Sequence, residues 1–262
     1  MSTPTYAMRD SMTMLRRNLK HAARYPSQTV ALVAMPILML LLFVYVFGGA
    51  LGNGIGLQND RDEYTNYVTP GIILMAVTSA AITTAVSVCI DMTEGIINRF
   101  RTMAIFRPSI LTGHVVGNVI QTVISLLLVI GIAVAIGFRP NASPVEWVAA
   151  AGLLVLLAFA LSWLSAAMGL HAQTIETASN APLPMTFLPF LGSAVVTPDS
   201  MPTGLRWFAE YQPFTPINET LRGLLLGTEI GNDGWAALAW CVGLIVVGYV
   251  WAQATFSRAV KR

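Results

Sequence analysis

Charge is what this 262-residue chain has least of: Asp, Glu, Lys and Arg together make up 11% of it, against 55% hydrophobic residues. A soluble domain carries about 25% charged residues, because its surface has to be wetted. A water-soluble globule is therefore excluded, and so is a disordered chain, which would be polar and highly charged. Lysine is scarcer still. Lys20 and Lys261 are the only two, and neither lies in a glycine-rich turn ahead of a helix, so there is no P-loop to hold nucleotide phosphates. Any ATP-driven role has to borrow its engine from another polypeptide. The two cysteines, Cys89 and Cys241, sit in apolar runs and form neither a disulfide framework nor a metal cluster. His21, His114 and His171 make no His-Glu-x-x-His zinc motif, and no Gly-x-Ser-x-Gly nucleophile elbow is present. Paired carboxylates inside an apolar run, as a proton relay requires, are also missing. What remains is an all-α, polytopic integral membrane protein with no enzyme motif.

A helix crosses the roughly 30 Å hydrocarbon layer with about 20 mostly apolar residues. Six stretches meet that requirement, over about 28–50, 68–90, 111–137, 147–171, 177–197 and 234–256. The fifth carries Pro182, Pro184 and Pro189, which predicts a kinked crossing whose freed carbonyls are met by neighbouring helices. Basic residues are distributed unevenly around these spans: eleven flank the side that holds both termini, and Arg61, Arg139, Arg206 and Arg222 make four on the other. Cytoplasmic loops carry the excess of Lys and Arg, so both termini are expected in the cytoplasm. No small-residue cleavage pattern follows the first apolar run, and the first span is expected to stay in the mature protein.

Three further pieces are not spans. Residues 5–24 place Met8, Met12, Leu15, Leu19 and Ala22 at helical spacing among five basic residues. This predicts an amphipathic helix in the membrane surface. It serves as a topology anchor or takes part in energy coupling. The loop 91–110 mixes both signs of charge with Ile96, Ile97, Phe100, Met103 and Phe106, which fits a short amphipathic helix used for docking or lying flat on the bilayer. The external segment 198–230 is punctuated by Pro198, Pro202, Pro213 and Pro216, yet it is rich in Leu, Trp and Phe. It is expected to form short helices that dip into the outer leaflet or cap the bundle. Asn141-Ala142-Ser143 and Asn218-Glu219-Thr220 match glycosylation acceptors, a short pattern with little force alone. Mild polar groups in the spans, Thr83, Ser162 and Ser165 among them, usually hold helices together and less often line a path.

In combination these pieces resemble the type-2 ABC exporter permeases, specifically the daunorubicin-resistance-type membrane subunits of actinobacteria. Met14-Leu15-Arg16-Arg17-Asn18-Leu19 with Arg24-Tyr25-Pro26 is similar to that group's lead-in to span one. Gly95-Ile96-Ile97-Asn98-Arg99-Phe100-Arg101 is similar to its cytoplasmic coupling segment. Phe187 onward is the most specific block, with Pro198, Met201-Pro202, Leu205, Phe208, Gln212-Pro213, Thr215-Pro216 and Leu221-Arg222-Gly223. The chain departs from the pattern at Met103-Ala104-Ile105-Phe106, where the family often has Leu-Pro, and at His114, where it often has arginine.

The resemblance implies one transmembrane domain over 1–262 that exports hydrophobic or amphipathic compounds, such as antibiotics. It also implies two copies of a separate nucleotide-binding ATPase, which binds the ATP and Mg, and a second permease subunit, identical or paralogous. No cofactor and no nucleic acid is implied for this chain; its surroundings are membrane lipid in a bacterial plasma membrane. Asp91, Glu94, Gly95, Arg99, Phe100, Arg101, Met103 and Arg107 are then expected to couple to the ATPase. Met39, Phe43, Thr78, Thr84, Ser87, Met185, Phe187 and Phe190 are expected to line the substrate path. Met201, Pro202, Trp207, Pro213 and Arg222 are expected in the external cap. Two other readings fit the same composition: export of a lipid or glycan by the same fold, and a membrane assembly protein that transports nothing.

Overall fold

The computed structural model describes residues 26–48, 61–93 and 108–259, and every regular element among them is helical. The predicted amphipathic helix 5–24 lies outside the described residues. So do Glu94, Gly95, Arg99, Phe100, Arg101, Met103 and Arg107 of the coupling loop.

Among the described residues, four helices are long and apolar enough to cross a membrane. They are α2 (Arg61–Thr93), α3 (Pro108–Ile136), α4 (Pro144–His171) and α9 (Asp233–Ala259). A shorter apolar helix precedes them. It is α1 (Pro26–Leu41), which carries Pro36 in its interior and continues as π-helical turns over Leu42–Phe47. The start of α4 is locally encoded: the Ser143 hydroxyl accepts from the Glu146 N–H, Glu146 reaches back to the Ser143 N–H at 2.6 Å, and Pro144 occupies the first turn. This capping box satisfies N–H groups that have no partner inside the helix.

The predicted fifth span folds differently. It breaks into α5 (Ile175–Asn180), α6 (Leu183–Phe187), a 3₁₀ turn over Leu188–Leu191 and non-helical turns up to 197. Pro182, Pro184 and Pro189 withhold backbone donors at three places, so one uninterrupted helix cannot form. A short 3₁₀ turn (Pro198–Ser200), α7 (Thr203–Tyr211) and α8 (Phe214–Leu226) follow before α9.

The helix α2 is the hub, touching α1, α3, α4, α5, α6 and α8, while α9 lies along α4 and α8. Close approach of α4 to α2 depends on Gly169: a Cβ there would collide with the backbone of Ala85. Small residues let membrane helices come this near and gain van der Waals contact. The outer faces of α3 and α9 remain apolar and uncovered, with Leu127 and Trp235 among the exposed side chains. This is the pattern of a bundle whose solvent is lipid.

Candidate functional site

The broken segment runs antiparallel to α2 and follows it closely. At one end the Cys89 thiol of α2 faces the Ala172 carbonyl at the close of α4, just ahead of α5. At the other end Ala194 packs on Gly71, where a Cβ would stand 2.6 Å from the Ala194 side chain and carbonyl. Cys89 and Gly71 are eighteen residues apart in α2, about 27 Å at the helical rise. Pro70, immediately before Gly71, lies inside α2.

Two carbonyls of the segment are met by side chains. Gln212 donates to Leu188 O at 2.9 Å. Three donors converge on Ser193 O: Arg222 at 2.8 Å, Asn218 at 3.1 Å and the Tyr67 hydroxyl at 3.3 Å. Arg222 also ion-pairs with Glu219, and its guanidinium lies 4.0 Å from the centroid of the Tyr67 ring. A buried carbonyl without a partner in an apolar medium costs several kcal/mol. These side chains are therefore what allows the segment to stay broken. Asn218 is buried in this cluster and is not presented as a glycosylation acceptor.

Between this segment, α1 and α2 lies a cleft of about 600 Å³, a volume typical of sites for small organic molecules. Leu32, Met35, Pro36 and Met39 form one wall, and Leu183, Thr186, Phe187 and Phe190 another. The third, from α2, carries Met75, Ile82, Val86 and Ile90 together with the hydroxyls of Ser79, Thr83 and Ser87. Among the described residues the lining holds no charged side chain. Its chemistry is that of polarizable thioethers and rings facing a short row of hydroxyls, which suits an apolar body with a few hydrogen-bonding groups.

Of the expected path residues, Met39, Ser87, Phe187 and Phe190 line this cleft. Phe43 stands beside it, its ring 6.1 Å from that of Phe190. The other three turn away: Thr78 bonds to Met75 O at 2.9 Å, Thr84 is buried, and Met185 belongs to the hydrophobic core. Ser79 and Thr83 are not among the expected residues, yet together with Ser87 their spacing carries a signal. Positions 79, 83 and 87 recur at i, i+4 and i+8 and so share a stripe of α2, whereas 78 and 84 fall on other faces.

Asp91, expected at the ATPase surface, is instead buried, with its Oδ2 2.9 Å from Nε2 of the buried His114 on α3. One turn along α3, Asn118 accepts from the Thr83 hydroxyl at 2.7 Å and donates to the Ser162 hydroxyl of α4 at 2.9 Å.

In the expected cap, α8 is packed into the bundle against α2, α4 and α9. It brings Arg222 with it, while Pro213 precedes its first residue. Helix α7 presents Trp207 and Tyr211 outward, their rings 5.4 Å apart. Arg206 on the same helix pairs with Asp199 and Glu210, which raise its pKa above the ordinary arginine value. Met201 and Pro202 lead into α7.

A family model described as ABC-2 type transporter matches residues 10–226. The chain belongs to the ABC-2 type transporter family. This ABC-2 chain is 28% identical over 242 residues to the "Daunorubicin resistance ABC transporter permease protein DrrB1" of Streptomyces coeruleorubidus, covering 92% of this chain and 83% of that protein. It is 23% identical over 252 residues to the "Probable doxorubicin resistance ABC transporter permease protein DrrC" of Mycobacterium tuberculosis (strain ATCC 25618 / H37Rv), covering 95% and 89%. It is a multi-pass permease subunit of an ABC exporter, a family in which hydrolysis of ATP takes place in a separate subunit.

Proposed function

We propose that this permease subunit exports amphipathic, largely apolar drugs, and that the cleft between α1, α2 and the broken segment is where they are held on the way out. The observation that carries this reading is the uncharged lining, with methionine and phenylalanine opposite the Ser79, Thr83 and Ser87 hydroxyls. The drug-resistance names of the two relatives support it. The broken segment is then the fifth of six crossings, a role supported by the about 27 Å of α2 that it follows, close to the thickness of a hydrocarbon core. Both termini lie in the cytoplasm, as the eleven-to-four distribution of basic residues favours.

A separate ATPase docks on 94–107, with Glu94, Arg99 and Arg101 making charged contacts and Phe100 and Met103 apolar ones. A second permease copy completes the path. Nucleotide binding moves the spans because the ATPase grips the two permease states with different affinity. The cap over α7 and α8 closes the outer mouth, with the α7 aromatics in the outer leaflet.

The test is ATP-dependent uptake of doxorubicin by inside-out vesicles that contain this chain and its ATPase. Replacing both Phe187 and Phe190 with alanine should raise the half-saturating concentration about tenfold, the equivalent of about 1.4 kcal/mol. Unchanged saturation in that variant would remove the cleft from the path. For the topology, cysteines introduced at Ser2 and Asn232 should be labelled from opposite sides of the membrane.

A further inference from the structure

The polar groups buried between α2, α3 and α4 are arranged in a line that the export reading leaves unused. Asp91 is in the last turn of α2, three residues ahead of the segment 94–107, and it meets His114 at 2.9 Å. His114 and Asn118 are i and i+4 on α3, so they share one face and move together. Asn118 accepts from Thr83 at 2.7 Å, and Thr83 belongs to the cleft wall. The Asn118 amide donates to Ser162 of α4 at 2.9 Å, which anchors the arrangement to a third helix. All of these side chains except Thr83 are at most 8% exposed.

The central bond has a built-in alternative. A hydroxyl has one proton to give, and Thr83 Oγ1 lies 2.7 Å from both Asn118 Oδ1 and the Ala80 carbonyl of its own helix. If α3 slides by a fraction of a turn, Thr83 keeps a partner in Ala80 O while its tie to Asn118 breaks. The exchange leaves no unsatisfied hydroxyl on α2 but strands the buried Asn118 Oδ1, so the tie is made or broken as a discrete step. The polar edge of the cleft can therefore be reset from the helix that leads out of the 94–107 segment.

We propose that His114 and Asn118 are positioning residues that carry movement at the Asp91–His114 end of α2 and α3 to the cleft, with Thr83 as the hydroxyl they set. The proposal rests on the reading of the cleft as the drug path. It places α3, which contributes nothing to the cleft lining, at the centre of coupling.

The experiment uses the assembled transporter in proteoliposomes, with cysteine introduced at Ser79 as a reporter in the cleft. The native Cys89 and Cys241 are buried. The readout is the ratio of N-ethylmaleimide labelling rates with and without ATP and vanadate, measured within each variant. In the parent this ratio should differ from unity about fivefold, the low end of ordinary coupling. Thr83→Val and Asn118→Val should each bring it close to unity, the double variant should lose no more than either alone, and Thr83→Ser should restore it. A ratio that survives in both single variants overturns the proposal, as does a parent with no nucleotide response. If Asn118→Val does not reach the membrane, the near-isosteric pair Thr83→Val and Thr83→Ser decides alone. Doxorubicin protection of the reporter is scored separately. Protection with no effect of the variants sinks the relay and leaves the drug path standing. Lost protection with a variant-sensitive ratio sinks the drug path and leaves the relay.

Discussion

The helix pair α4–α9 and the segment 175–197 solve the same problem, backbone in an apolar medium, in opposite ways. In α4 and α9 nearly every N–H and C=O is paired within its own helix, and packing between them adds contact without further polar obligations. In 175–197 the helix is broken, and two of its carbonyls take side-chain donors: Gln212 meets Leu188 O, and Asn218, Arg222 and Tyr67 meet Ser193 O. The first arrangement is self-contained. The second is conditional, because its backbone pairing depends on side chains from other elements. It is also the arrangement that borders the cleft. The two are thus distinguished by where each backbone finds its hydrogen bonds.

The contrast is broken most severely at Arg222. Arg222→Met removes one of the three donors to Ser193 O, the partner of Glu219 and the contact over Tyr67. A loss of about 2–3 kcal/mol is expected from the charged hydrogen bonds alone. Thermal aggregation of the purified subunit in detergent should report it as a lower midpoint, together with loss of export.

A matched pair of glycine variants sharpens the comparison at the next level. Gly169→Val forces α4 off α2 at Ala85, and Gly71→Val forces Ala194 off α2; each overpacks its site by about 1–3 kcal/mol. Stability should fall in both. Export per folded molecule should fall chiefly in Gly71→Val, because only that contact seats the broken segment. Equal export per folded molecule in the two would erase the distinction drawn between scaffold and segment.

The smallest effect belongs to the outer face of α9. Trp235 is 78% exposed, and Trp235→Phe should change both detergent stability and export by less than about 0.5 kcal/mol equivalent.

Much of the scaffold was legible in the sequence, for identifiable reasons. Charges such as Arg107, Glu146, Asp233 and Arg258 bracket apolar runs, and four of those runs are long uninterrupted helices. The three prolines mark the fifth segment as irregular, since loss of an N–H is a local property, but they predict a kinked crossing rather than the separate short helices that form. The partners of that segment were not legible. Arg222, counted as one more external basic residue, turns inward onto a carbonyl 29 residues away. Pairing of that kind is set by the three-dimensional path of the chain, which local pattern does not carry. The same holds for Asp91 and His114, 23 residues apart, and for Asn118, an amide in an apolar run whose position alone was a sign of interhelical bonding. Which stripe of α2 faces the cleft follows from helical phase once the neighbours of α2 are known.

The dependence of Ser193 O on Arg222 also sets an order of events during synthesis. A ribosome adding about 5–20 residues per second completes the 29 residues between them some about 1.5–6 seconds after Ser193 is made. Throughout that interval Ser193 O has the Tyr67 hydroxyl of α2 but not the Arg222 guanidinium, while α2 and α4 are already able to form as finished helices. Chains released before Gln212 should therefore carry four secure helices and a fifth segment that the insertion machinery or a quality-control protease still recognises as incomplete. The tie from Arg222 to Ser193 O is a late step, made by a side chain of the element that follows the segment.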